Sequence, residues 1–161
     1  MLNYKTILSL LGALLMGLQL SAQYFGKNKV VYEQFDFSVF RTPNFDIYHY
    51  LEDEEVLSTY SNWAEHWYTA HQLILEDTIS ERNPIILYKN QADFQQTRAI
   101  ASMIGISTGG VTEGLKNRVV LPFAPSNQQS FHVLGHELVH AFHYNIARTD
   151  ENLSLRSLQN V

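Results

Sequence analysis

Cysteine is absent from this chain of 161 residues, and so is any cluster of basic residues. Without cysteine there are no disulfides, thiol nucleophiles or thiolate metal sites, so any metal must be held by histidine and carboxylate. The formal net charge is −5, which removes the electrostatic support that a nucleic-acid surface needs. We therefore expect no nucleic-acid partner.

The chain also lacks an apolar run long enough to span a membrane, although its N-terminus is apolar. Lys5 precedes the leucine-rich, 14-residue run Ile7–Leu20, and Ala22 offers a small residue for cleavage. A positive charge followed by a run shorter than the ~20 residues of a membrane span is typical of a signal peptide. We predict a signal peptide over residues 1–22, with an uncleaved anchor as the alternative. The protein should be exported to the periplasm or the exterior, without a membrane span after cleavage.

The remaining residues, 23–161, are predicted to form one α+β domain. The chain is 45% hydrophobic and 12% aromatic, which is enough for one compact core and too little for two. Segments with strand and helix periodicity alternate along it. The predicted strands are Val30–Phe40, Phe45–Tyr50, Ile85–Tyr88 and Arg118–Leu121, and the predicted helices are Glu52–Glu76, Phe94–Ile104 and Phe131–Tyr144.

The strongest chemical signal is an H-E-x-x-H motif, from His136 to His140, in the last predicted helix. Two imidazoles four residues apart lie on one face of a helix, close enough to bind one Zn²⁺. Glu137 lies about 100° around the helix from His136, where it can accept a proton from a zinc-bound water. That water would attack a carbonyl polarised by the metal. A random shuffle of this composition contains the motif with a probability of about 2%, so context must support it.

The helix around the motif is amphipathic. An apolar stripe recurs at helical spacing along one side, at Phe131, Leu134, Leu138 and Phe142. His136, His140 and His143 fall on roughly the opposite side, so one face suits a core and the other a site. His132 and His136 have the same spacing, but Val133 stands where the base should be, which makes that register inferior. The alternative is a buried helix whose histidines are only hydrogen-bonded or exposed.

Four other stretches have competing interpretations. Gly105–Gly110 is either a surface loop, which we favour, or a mobile wall of the active-site cleft. The acidic run Glu52–Glu55 is better explained as a solvated helix start than as a cation site. Trp63 and Trp67 are typical of a core rather than of a ligand platform. Ser126–Gln129 has the form of a capping box that leads into the histidine helix.

Five segments, which span most of residues 23–161, carry a resemblance to a known family: Phe45–Tyr48, Pro84–Gln96, Gly109–Glu113, Asn117–Phe123 and His136–Phe142. They resemble the Peptidase MA-like gluzincin metallopeptidase domain, found at the N-terminus of exported bacterial proteins that continue into a TolB-like or WD40-like β-propeller. The resemblance implies a zincin-like mixed sheet packed against helices, with Arg118–Leu121 as the edge strand that aligns an extended peptide. It also implies His136 and His140 as zinc ligands and Glu137 as the general base.

The resemblance further implies a third zinc ligand. Gluzincins take it from a glutamate in an E-G-x-x-E-like segment after the histidine helix, and no such segment occurs before Val161. We therefore expect this ligand beyond Val161, a C-terminally truncated domain, and a candidate β-propeller in the full-length protein. Asp150 and Glu151 are the alternative ligands, although Thr149–Asn152 is predicted to be a polar loop. We expect His143 to line the site, because three ligands from one straight helix cannot easily surround a tetrahedral ion.

The sequence thus predicts a zinc metallopeptidase, a hydrolase with Zn²⁺ as cofactor and a peptide or protein as substrate. One alternative is a catalytically inactive peptidase-like domain that binds peptides or partner proteins at the cell envelope. Another is an exported α+β domain in which the motif is accidental. Stoichiometric zinc separates the first interpretation from the third, and peptide-bond cleavage separates it from the second.

Overall fold

The computed structural model describes Asn3, residues 33–101 and residues 104–159, with side chains up to Asp150. Apart from Asn3, the predicted signal peptide over residues 1–22 lies outside this part of the chain. Residues 33–161 group into one compact unit. No helix within the described residues is long and apolar enough to cross a membrane.

The described strands form one mixed sheet. They are β1 (Ser38–Arg41), β2 (Phe45–His49), β3 (Asn83–Tyr88), β4 (Val111–Glu113) and β5 (Arg118–Pro122). Their order across the sheet is β1-β2-β3-β5-β4. The central strands β2, β3 and β5 are parallel, while β1 and β4 run antiparallel to their neighbours. The predicted α+β class is therefore confirmed, but β5 is an interior strand, so the prediction that Arg118–Leu121 forms the edge is wrong.

Helices connect these strands and cover the sheet. They are α1 (Glu54–Leu75), α2 (Gln91–Phe94) and α3 (Asn127–Gln159). α1 begins after Asp53, whose carboxylate accepts hydrogen bonds from the backbone N–H groups of Glu55 and Val56. It ends at Glu76, which adopts a left-handed conformation with φ of 52°. The acidic run before and within the first turn is exposed, which agrees with its interpretation as a capped, solvated helix start.

α1 and α3 pack on one face of the sheet and enclose the main core. Alternate strand residues point into it because successive side chains of a strand face opposite ways. The fully buried strand residues on this face are Phe45, Ile47, Ile85, Leu87, Val119 and Leu121. Trp63 and Trp67 pack against the same core, which confirms their predicted structural role.

The opposite face of the sheet is covered by aromatic side chains from the segment before β1. Phe35 stacks on Tyr50 with ring centroids 4.8 Å apart, and Phe37 meets the same ring edge-on at 5.3 Å. The predicted strand Val30–Phe40 is therefore wrong over its described first part, since pairing begins only at Ser38. Its apolar alternation reflects aromatic rings lying over a sheet face rather than a half-buried strand.

The predicted helix Phe94–Ile104 is also wrong in its described residues. Only the single turn of α2 is helical, and Asn90 caps it by accepting a hydrogen bond from the N–H of Asp93. Beyond it, the hydroxyl of Thr97 accepts a hydrogen bond from the N–H of Ala99 at 3.2 Å. Such local bonds compete with a helix. The apolar side chains that suggested a helix instead spread over the outer face of the sheet.

The sequence predicts the start of α3 correctly but not its end. The hydroxyl of Ser126 accepts a hydrogen bond from the N–H of Gln129 at 3.2 Å, which confirms the predicted cap. The helix continues to Gln159, so the prediction of a polar loop at Thr149–Asn152 is wrong. No glycine or proline interrupts the chain here, and the Thr149 hydroxyl is satisfied within the helix by the carbonyl of Asn145 at 2.9 Å.

Candidate functional site

The H-E-x-x-H motif lies in the first half of α3, with the two faces that the sequence predicts. Leu134, Leu138 and Phe142 are 0% exposed in the core. His136 and His140 are exposed on the other side. The burial of the apolar stripe therefore fixes the rotation of the helix and turns both imidazoles toward solvent.

Two side chains of α1 hold the backbone of α3 next to the motif. The indole Nε1–H of Trp67 donates to the carbonyl of Phe131 at 2.9 Å, and Nε2 of His71 lies 2.9 Å from the carbonyl of Gly135. Because a carbonyl only accepts, His71 must carry its proton on Nε2. The sequence pattern of α1 gives no sign of this role for His71, whose partner is 64 positions away.

The structure brings His136 and His140 together at their Nε2 atoms. These atoms lie 3.3 Å apart, and the ring centroids are 4.9 Å apart at an interplanar angle of 85°. Two nitrogens that bind one tetrahedral zinc at its usual bond length are about 3.3–3.4 Å apart. The pair therefore has the separation that two adjacent zinc bonds require, without any change of rotamer.

Glu137 lies on the inner side of this pair, and its side chain is directed at the sheet. The residue is 6% exposed, and its Oε2 accepts a hydrogen bond from the hydroxyl of Thr112 in β4 at 2.7 Å. Tyr60 is buried in the core, and its hydroxyl has no hydrogen-bond partner among the described residues. Burial, and after it the charge of Glu137, raises the pKa of Tyr60 well above its ordinary value.

The glycine-rich segment before β4 forms one wall of the site. A Cβ atom on Gly110 would lie 2.8 Å from Cγ of Glu137, and one on Gly109 would lie 3.2 Å from Cγ2 of Val133. These glycines thus allow the backbone to approach α3 closely. Gly109 is exposed and Gly110 half-buried, which agrees with the favoured interpretation of Gly105–Gly110 as a surface loop, and these last two residues also lie close to the histidine helix.

The turn between β4 and β5 is fastened to the same helix, further along. The guanidinium of Arg148 donates to the carbonyls of Gly114 at 2.6 Å and Leu115 at 3.3 Å. A Cβ atom on Gly114 would lie 2.8 Å from the ring of Tyr144. The whole β4–β5 hairpin is therefore held against α3 at both ends of the candidate site.

Side chains for a third metal bond are scarce near the pair. His143 is exposed, and its ring centroid lies 6.3 Å from that of His140, in keeping with a residue that lines the site. Asp150 follows His140 by ten positions in one helix, which places it ~15 Å along the axis, so Asp150 cannot complete this site, while the side chain of the other alternative ligand, Glu151, lies outside the described part of the chain. Among the described residues, no group of three or more histidine, cysteine or acidic side chains is arranged to hold a metal ion.

No family model, curated protein or solved structure matches this chain. The geometry of α3 and β4 is therefore the basis on which a function can be argued.

Proposed function

We propose that this protein is an exported zinc-dependent peptidase with a gluzincin-type site in a zincin-like fold. The observation that carries the proposal is the 3.3 Å separation of the Nε2 atoms of His136 and His140. A hydrogen bond between the two imidazoles has the same length, so the zinc titration described below distinguishes a metal pair from a hydrogen-bonded one. The apolar stripe beneath them supports the same conclusion, because it presents both rings to solvent.

In this proposal His136 and His140 hold the zinc ion through Nε2. Bound zinc supplies a Lewis acid that polarises a peptide carbonyl and lowers the pKa of water. Glu137 accepts the proton of the attacking water on its carboxylate and then passes it to the leaving amine. Its burial between α3 and β4 restricts the carboxylate to one position, which favours a proton transfer of fixed geometry.

The substrate would be an extended peptide aligned along β4. This strand is the last in the sheet and pairs on one side only, with β5, among the described strands. Its other edge offers backbone N–H and C=O groups for β-augmentation. Thr112, in the middle of β4, contacts the base, so a peptide paired there would pass close to Glu137 and the histidine pair.

The third zinc ligand is proposed to lie outside the described residues. Catalytic zinc sites commonly have three protein ligands and one open position, and α3 supplies two. The position expected from the resemblance is a glutamate that follows the histidine helix.

The free edge of β4 equally supports the second candidate function, a peptide-binding module without hydrolytic activity. Such a domain would retain the sheet, the hairpin held by Arg148 and the histidine helix. Binding of peptides without cleavage would identify it.

Zinc titration into purified wild-type protein and three alanine variants tests the metal assignment. His136→Ala and His140→Ala should each weaken zinc binding at least ~10-fold, because each removes a direct ligand. His132→Ala is the matched control, since it removes an exposed histidine from the preceding turn of α3, and it should leave the affinity unchanged. A loss of affinity in His132→Ala with no loss in His140→Ala would assign the metal to the other register, that of His132 and His136.

Hydrolysis of an unstructured protein substrate, such as casein, tests the catalytic assignment. Glu137→Gln keeps the size of the side chain but cannot accept the proton, so turnover should fall by at least ~10² while zinc stays bound. Glu55→Gln, at an exposed position of α1, is the control and should retain full turnover. Equal turnover in Glu137→Gln and wild type would remove Glu137 from the mechanism, and binding of casein without cleavage by wild type would favour the peptide-binding module.

A further inference from the structure

Thr112 is the middle residue of β4, and its side chain lies on the same face of the sheet as the histidine helix. It is paired with Val119 of β5, which is fully buried in the core beneath α3, and directly opposed residues share a face. Its neighbour Val111 packs on the outer face instead. The position in the strand therefore aims the Thr112 hydroxyl at α3.

That hydroxyl meets Glu137 at two atoms. Oγ1 of Thr112 lies 2.7 Å from the carboxylate Oε2 and 2.8 Å from the backbone carbonyl oxygen of the same residue. A hydroxyl has one proton to donate, so these two oxygens share it. The backbone carbonyl and the side-chain carboxylate of Glu137 therefore both contact one atom of β4, Oγ1 of Thr112.

Gly110 acts on the same side chain from another direction. A Cβ atom there would lie 2.8 Å from Cγ, and 3.2 Å from both Cδ and Oε1, of Glu137. The absence of a side chain at Gly110 is what leaves room for the carboxylate. The segment from Gly110 to Thr112 thus forms a seat for Glu137, with one hydrogen bond and one close backbone contact.

We propose that Thr112 is a positioning residue for the base, an inference that rests on the proposed peptidase function. The hydroxyl holds Oε2 against β4 and so leaves Oε1 as the oxygen that accepts the proton of water. The strand that aligns the peptide through its backbone then also fixes the base through a side chain. Because the same strand would hold both the peptide and the base, the distance between them would vary little.

Steady-state hydrolysis of one defined peptide by wild type, Thr112→Val and Thr112→Ser tests this role. Valine keeps the branched shape and strand preference but removes the hydroxyl, so kcat should fall about 10- to 100-fold. KM should stay within about twofold, because the backbone of β4 that would pair with the peptide is unchanged. Serine restores the hydroxyl and should recover most of kcat.

Two further comparisons separate positioning from a general loss of structure. In a Glu137→Gln background, Thr112→Val should cause no additional fall in kcat, since the group that it positions is already disabled. Gly110→Ala pushes on the Glu137 side chain and should lower kcat in the same way, whereas Gly105→Ala, whose Cβ would meet only Oγ1 of Thr108 at 3.6 Å, should leave kcat within about threefold.

The outcomes distinguish this inference from the function on which it rests. Hydrolysis by wild type with equal kcat in Thr112→Val would overturn the role of Thr112 and leave the peptidase proposal standing. A fall in kcat that serine does not rescue, or that persists in full in the Glu137→Gln background, would also overturn it. If wild type binds zinc but cleaves no peptide, the peptidase proposal fails and the positioning role fails with it.

Discussion

Substitution of Gly135 by alanine should destabilise the protein, although alanine is the better helix former. A Cβ atom at this position would lie 2.5–2.8 Å from Cε2, Cδ2 and Cζ2 of Trp67. Real Cβ contacts of this length do not occur, so either the indole ring or the α3 backbone must move. The change in the free energy of unfolding depends on whether the indole ring can move into free space.

The surroundings of Trp67 show that its ring is confined. It is stacked on His71 with centroids 5.3 Å apart at 17°, lies 4.8 Å from the ring of Phe131, and donates to the Phe131 carbonyl at 2.9 Å. Alanine in place of a helical glycine contributes ~0.5–1 kcal/mol. Overpacking of a rigid core contact costs ~1–3 kcal/mol, and loss of the indole hydrogen bond costs ~1 kcal/mol more. The net effect should be a loss of about 1–3 kcal/mol in the free energy of unfolding.

Urea denaturation followed by tryptophan fluorescence measures this difference. With an m-value of ~2 kcal/mol/M, the middle of the range typical for urea, the midpoint should fall by about 0.5–1.5 M. Gly105→Ala is the matched control, because its Cβ would meet only Oγ1 of Thr108, at 3.6 Å, and its midpoint should be unchanged or slightly higher. A Gly135→Ala midpoint equal to or above that of wild type would show that α1 and α3 do not pack as described.

Further predictions concern the core, the hairpin and the N-terminus. Tyr60→Phe should raise the free energy of unfolding by up to ~1 kcal/mol, because it removes a buried hydroxyl that has no hydrogen-bond partner within the described part of the chain; a lower urea midpoint would contradict this. Arg118→Ala should lower the melting temperature by ~2–4 °C, the shift for a loss of ~1 kcal/mol in a domain of this size, since Nε of Arg118 lies 2.6 Å from Oε2 of Glu113 and its guanidinium also donates to the carbonyl of Ala99; an unchanged melting temperature would show that these contacts do not stabilise the fold. Mass spectrometry of the exported protein should find an N-terminus near Gln23, and recovery of an intact Met1 would favour an anchor.

The sequence predicts the site helix well because the relevant signals are local. The spacing of Leu134, Leu138 and Phe142 determines which side of α3 is buried, and the spacing of His136 and His140 then determines that both rings share the exposed side. Every step depends on residues within two or three helical turns. Tertiary packing does not need to be known for such inferences.

What the sequence does not predict depends on contacts between distant segments. β4 has three residues, too few for a periodic pattern, and it is a strand because it pairs with β5. Once β4 is added, β5 is no longer an edge. Thr112 and Glu137 are 25 positions apart, so neither the seat of the base nor its burial can be found from spacing alone.

The prediction of a helix in the segment after α2 is wrong for another reason. Its apolar residues suit a helix or a flat layer over a sheet equally well, and the sheet face beside it is uncovered until Ala99 and Ile100 pack there. Tertiary burial therefore overrides local helix preference in this segment. The phenyl rings of Phe35 and Phe37, which look like strand residues in the sequence, are explained in the same way.

X-ray absorption at the zinc edge, on protein loaded with one equivalent of zinc, shows whether His136 and His140 bind the metal. The account predicts at least two imidazole nitrogens at ~2.0–2.1 Å, and loss of their scattering in a variant that carries both His136→Ala and His140→Ala. The His132→Ala variant should give the spectrum of wild type. A zinc ion without imidazole neighbours, or a spectrum that the double variant leaves unchanged, would contradict the account.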